Sequence, residues 1–175
     1  MKNTCVQIFF VTMIVGASGL TNVSLRNYQD PKRKLTLDVA GTQWDFFEGR
    51  ESGRPSDLNL QFVARGQGAS SKDGQSTLTM RIDSGQWPSA RNYGEKWLKE
   101  YPKFGFELQM SKETQHGHLH GFEMELTSSS TNRRIRQFVV NAKDEVWIFT
   151  CSSSSDQFDL TWSSCEKILN TASLK

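Results

Sequence analysis

Reactive motifs are missing from this chain. There is no Gly-x-Ser-x-Gly turn, no His-Glu-x-x-His helix, no Cys–His signature and no phosphate-binding glycine loop. The local arrangements that mark serine hydrolases, zinc proteases and nucleotide-binding folds are therefore absent. Gly66-Gln67-Gly68 is a weak match to a dinucleotide loop, since no helix start follows it. An excess of one charge is missing too. Against 19 Asp and Glu stand 21 Lys and Arg, a formal net charge of +2, which gives no electrostatic basis for general nucleic-acid binding. No apolar run reaches the roughly 20 residues that span a bilayer. Internal repeats are absent, and the Ser runs at 128–130 and 152–155 are too short to be more than connectors.

What remains is a chain of 175 residues with 36% hydrophobic and 11% aromatic residues, five of them Trp and eleven Phe. That is one domain with enough apolar bulk for a core. Lys2 followed by the apolar stretch 5–15 and the small residues Gly16, Ala17, Ser18 and Gly19 reads as a signal peptide over residues 1–19. Cleavage fits after Ala17 or Gly19; the alternative is an uncleaved N-terminal anchor. No cysteine stands where a lipid anchor needs one. Lys2 is the single charge removed, so the exported part carries +1. The expected compartment is periplasmic or extracellular. Cys5 lies within the signal, leaving Cys151 and Cys165. An even pair in an exported chain reads as a disulfide; in a cytosolic chain it would read as two buried thiols.

Residues 20–34 are polar, with a Pro and a basic cluster, and read as a flexible lead-in to a single domain at 35–175. Alternation marks strands at 35–39, 57–65 and 76–83. Residues 41–56 read as a loop with an aromatic plug around Trp44, Phe46 and Phe47, and 66–74 as a polar loop tip. A helix follows between Pro88-Ser89 and Pro102, with Ala90, Tyr93, Trp97 and Tyr101 on one face. Gly94 weakens that helix by about 1 kcal/mol relative to Ala, so packing has to hold it. Four strands come next, near 106–112, 118–127, 133–141 and 145–151, joined by connectors too short for parallel crossovers. The fold class is α+β: a mainly antiparallel sheet of six to seven strands with helices packed on its faces. The five residues Trp44, Phe46, Phe47, Trp87 and Trp97 are candidate pocket aromatics, though core positions are the commoner use of such residues.

The strand at 145–151 is apolar on both faces: Val146 and Ile148 point one way, Trp147, Phe149 and Cys151 the other. Such a strand needs cover on both sides. The last helix, about 156–171, is given a capping box by Ser154 and Gln157. Its apolar stripe runs Phe158, Trp162, Cys165, Leu169, with Ile168 beside it. Laying that stripe on the Trp147/Phe149 face brings Cys165 to Cys151.

All three histidines fall in the segment 115–120: His116, His118 and His120. On a strand, i and i+2 share a face about 6.6 Å apart, so two imidazoles reach one Zn²⁺ or Cu²⁺. His116 and His120 would be about 13 Å apart on a straight strand, unless Gly117 kinks it. The competing reading has His118 and His120 capping the wet end of a core face shared with Phe122, Met124 and Leu126. Arg133, Arg134 and Arg136 open a strand beside a Ser-rich turn. They are candidates for an anionic partner or head group, or else a solvated edge with one Arg paired to Glu123 or Glu125 across the meander.

Three features carry a family resemblance. They are the order of three strands, helix, four strands, helix; the run Tyr93-Gly94-Glu95-Lys96-Trp97-Leu98-Lys99; and the ending Val146-Trp147-Ile148-Phe149-Thr150-Cys151 before Phe158 and a short helix. Over about 35–172 the chain resembles the PsbP/DcrB-type fold family, exported proteins with an antiparallel sheet between helices. The resemblance implies a non-enzymatic binding or assembly module, its partner another protein or an envelope component. It carries over no site residue, and the disulfide is outside its pattern. No cofactor is expected on this reading, and no membrane span in the mature part. The alternatives are a Zn- or Cu-binding protein using His116, His118 and His120, and an enzyme with a dispersed site.

Overall fold

The computed structural model describes residues 25–48, 60–66 and 76–174. The signal segment and the expected polar tip, apart from Gly66, lie outside the described residues. Ten strands and two helices are seen: β1 (Asn27–Asp30), β2 (Leu35–Asp38), β3 (Trp44–Glu48), β4 (Leu60–Gly66), β5 (Thr77–Ser84), α1 (Ala90–Leu98), β6 (Glu107–His116), β7 (Leu119–Ser128), β8 (Arg133–Ala142), β9 (Glu145–Ser154), α2 (Phe158–Asn170) and β10 (Ser173–Leu174). Seven of them form one antiparallel sheet in the order β3-β4-β5-β9-β8-β7-β6. A second, three-stranded sheet has the order β1-β2-β10. The class is α+β, as the patterning predicts.

The two faces of β9 meet different layers. Trp147, Phe149 and Cys151 join Phe138 and Val140 of β8, Leu78, Met80 and Ile82 of β5 and the α2 stripe in the larger core. Leu35 and Leu37 of the small sheet close that core. Val146 and Ile148 face the other way, with Val139, Phe122 and Met124, under α1 and its Tyr93. α1 packs on β7 and β8, and α2 on β9. Ser89 caps α1, its Oγ accepting from the Asn92 N–H at 3.1 Å. Gly94 proves to be the contact residue of α1: a Cβ there would lie 2.5 Å from the Phe122 ring. The helix gives up propensity to approach the sheet.

Four expectations need correction. The stretch 20–34 is not wholly a flexible lead-in, since Asn27–Asp30 is a strand. Tyr28 packs 4.7 Å from Phe62, and Asp30 is buried with Arg33 at 2.7 Å. These partners are remote or locally polar, which is why composition alone missed them. The aromatic plug is strand β3, its Trp44 and Phe46 alternating into the core beside β4. The strand at 35–38 belongs to the small sheet rather than the large one. Finally, Ser154 makes no capping box: it ends β9, and the N-cap of α2 is Gln157 with no side-chain cap bond.

Candidate functional site

The disulfide lies where strand parity and helix stripe converge. Cys151 and Cys165 are joined, their Cα atoms 6.2 Å apart, and both residues are buried between β9 and α2.

The histidines do not share one strand. β6 ends at His116, Gly117 and His118 form the turn, and β7 begins at Leu119, with His116 opposite Leu119. Gly117 has φ +55°, and a Cβ on it would meet the Ala172 carbonyl at 2.6 Å. The residue thus serves both the left-handed turn and the close docking of the hairpin on the end of α2. There the His118 N–H donates to the Ala172 carbonyl at 3.0 Å. His116 is buried under α2, while the side chains of His118 and His120 are exposed. Among the described residues no group of three or more His, Cys, Asp and Glu is placed to share a metal ion.

His116 instead opens a ladder of polar side chains with two buried carboxylates at its centre. Its Nε2 lies 2.8 Å from Glu123 Oε2 and its Nδ1 3.3 Å from Asn170 Oδ1 of α2. Glu123 is 1% exposed. Its second oxygen has no hydrogen bond among the described residues; Lys112 Nζ faces it at 3.6 Å and Arg136 at 4.0 Å. Arg136 also donates to Glu125, as does Arg134 at 2.6 Å. Burial pushes the Glu125 carboxyl up, but the hydrogen bonds and charges of Arg134 and Arg136 outweigh it and hold the group below the ordinary carboxylate range. α2 roofs the ladder: the Arg136 guanidinium lies 4.2 Å from the Trp162 ring centre and that of Arg134 4.5 Å from Phe158. Of the three candidate arginines, Arg134 and Arg136 thus serve the scaffold. Arg133 points to the other face and donates to Ser152.

The sequence named Glu123 and Glu125 only as cross-strand partners for an Arg. The sharper signal is their spacing: Glu-x-Glu within the apolar run 122–126 beside Arg-x-Arg on the next strand, offset by two residues so that Glu125 stands opposite Arg136 and diagonal to Arg134.

The α1 face is built from aromatics. Trp87, Tyr93, Trp97, Tyr101 and Phe106 form a chain with successive ring centres 5.2 to 6.3 Å apart. The Tyr93 hydroxyl bonds Asp83 and accepts from Arg81 at 3.2 Å. Burial and the Asp83 contact push its pKa up to about 12. Beside the start of α1 an open groove of about 620 Å³ runs over β6 and β7, lined by Ser89, Arg91, Glu113, His120, Phe122 and Asn141, among others. Arg91 and Glu113 pair across it at 3.0 Å.

Chemically, these groups neutralise one another. The carboxylates of the ladder have cationic neighbours, and the one buried imidazole faces a carboxylate and an amide rather than a nucleophile. No helix among the described residues is long and apolar enough to cross a membrane.

No protein-family model matches the sequence, and no curated protein matches it. Solved structures do. PsbP (CyanoP) from Synechocystis sp. PCC 6803 is similar with a TM-score of 0.59 at 15% identity, over 92% of this chain and 99% of that one. LpqN, involved in cell envelope biogenesis of Mycobacterium tuberculosis, is similar with a TM-score of 0.58 at 14% identity, over 82% and 85%. At such identities the likeness is one of architecture, and that architecture, a long antiparallel sheet held between helices, is the PsbP-like fold.

Proposed function

We propose that this chain is an exported, non-catalytic module that binds or assembles with another protein or an envelope component. The observation that carries the reading is the use made of its ionisable groups. His116, Glu123, Glu125, Arg134 and Arg136 hold α2 to the sheet and, among the described residues, pair with charged and amide groups rather than with a nucleophilic side chain. The signal-like residues 1–19 support export, and the role given for LpqN supports an envelope setting.

The test is to express the full chain in a secreting host and cross-link it in place. Recovery of one protein or envelope component in near-stoichiometric amount is the expected result. Saturable turnover of an ester, phosphate or glycoside by the purified chain, abolished by a single substitution, would overturn the reading. N-terminal sequencing of the secreted product should begin at residue 18 or 20; an intact leader would remove the export half.

A further inference from the structure

The two edges of the large sheet are finished differently. At the β3 edge Leu25 closes the outer side by bridging Phe46, with N–O distances of 3.0 and 2.8 Å. At the other edge β6 runs ten residues, and among the described residues no strand lies outside it. A bulge between Leu108 and Met110 leaves Met110 to His116 in unbroken register with β7.

The turn fixes which backbone groups of this stretch face outward. His116 and Leu119 flank a two-residue turn, so they form a hydrogen-bonded pair, and alternation sends the bonds of Thr114, Lys112 and Met110 inward as well. The N–H and C=O groups of Ser111, Glu113 and Gln115 are left pointing away from the sheet. Edges are usually guarded by charges. Here Lys112 leans back on buried Glu123 at 3.6 Å and Glu113 on Arg91 at 3.0 Å.

The charges also bear on the occupant. A symmetric pairing with a second copy centred on Glu113 or on Lys112 sets that residue against itself, and like charges directly opposite are unfavourable. A two-fold at Ser111 or Thr114 opposes neither charge to itself, so self-pairing is an outcome the sedimentation test decides. The groove of about 620 Å³ borders the same stretch through Glu113 and Gln115, within reach of side chains on a strand added outside β6.

Building on the binding-module reading, we infer that the β6 edge from Met110 to His116 accepts an extended segment of another protein as an eighth strand. That segment carries a basic side chain opposite Glu113 and an acidic one opposite Lys112. Its backbone supplies the affinity and its alternate side chains the selectivity.

The full chain, disulfide intact, is titrated with a ten-residue peptide of alternating Thr and Val holding adjacent Lys and Asp, and with its charge-exchanged counterpart. Amide exchange and chemical shifts are followed by NMR. The expected result is slowed exchange at Ser111, Glu113 and Gln115. Binding should weaken by about tenfold in Ser111→Pro, which removes one outward N–H from an edge that tolerates Pro. A preserved shift pattern elsewhere shows that this variant still folds. Glu113→Lys alters an exposed side chain and should reverse the preference between the two peptides. The inference is overturned if neither peptide moves these amides at millimolar concentration, or if the shifts map elsewhere. It is equally overturned if the free chain sediments as a dimer that Ser111→Pro dissolves. A partner cross-linked equally well to Ser111→Pro sinks the edge and leaves the binding module standing; no captured partner for the unaltered chain sinks the module itself.

Discussion

The two faces of the large sheet are sealed by opposite means. Under α2 the interface holds a disulfide and two buried carboxylates with half-buried arginine partners, and the three-stranded sheet closes its far side. Arg33 fastens that small sheet to the β8–β9 turn with two bonds to Glu145, 2.6 and 2.8 Å long. Under α1 there is no covalent tie. A nine-residue helix rests on the sheet through Gly94 and a layer of rings. The comparison separates two routes to a fixed helix. Buried ions specify one geometry, because each charge needs its own partner. An aromatic layer relies on area and close approach.

The largest predicted break is on the charged face. Glu125→Ala leaves Arg134 and Arg136 facing each other under α2 and should cost about 3 to 5 kcal/mol, read as a fall in the urea midpoint. An unchanged midpoint would show that water reaches the pair freely. Next comes the covalent tie. The Cys151→Ala, Cys165→Ala double variant reopens a loop with a sequence separation of 14, worth about 3 kcal/mol in the chain-entropy model. On the aromatic face, Gly94→Ala sets helix propensity against the Phe122 contact. We expect the contact to win, with a net loss of about 2 kcal/mol; a gain in stability would mean that α1 can lift without penalty.

A pH series sharpens the contrast further. Glu125 and Glu145 have folded pKa values below their ordinary 4.5, both through arginine partners. The stability they contribute is complete above the unfolded value and is lost as pH falls from about 4.5 through the lower folded values. Glu125→Gln should flatten that decline, whereas a substitution at exposed Leu160 should not. The smallest effect belongs to the groove: Arg91→Ala removes an exposed pair with Glu113 and should change the unfolding free energy by less than about 0.5 kcal/mol.

Much of the α2 face was legible because one strand announces it. Alternation through Val146-Trp147-Ile148-Phe149 and the stripe through Phe158, Cys165 and Leu169 are both short-range patterns, and they predict the same interface. Strands β1 and β3 were not legible for the converse reason. Asn27–Asp30 is polar in composition and becomes a strand through Tyr28, Arg33 and their distant partners. Trp44–Glu48 sits between turn-forming residues, and its alternation is short. The strand expected from 118 begins at Leu119, and the one expected to end near 112 runs on to His116. A single left-handed Gly117 divides them, and nothing in the spacing distinguishes a kink from a turn.

At the centre of the large sheet β5 lies against β9, with Leu78 opposite Cys151 and Ile82 opposite Trp147. Within the large sheet this one ladder joins the early half of the chain to the late half, so it governs the order in which that sheet forms. The meander from β6 to β9 can form from neighbours in sequence, as can the β4–β5 hairpin. Neither piece has a finished core until β9 is made and the two halves dock. A ribosome-bound chain ending before residue 145 would therefore hold two separate hairpin systems, and docking across that central ladder should be the slow step of refolding.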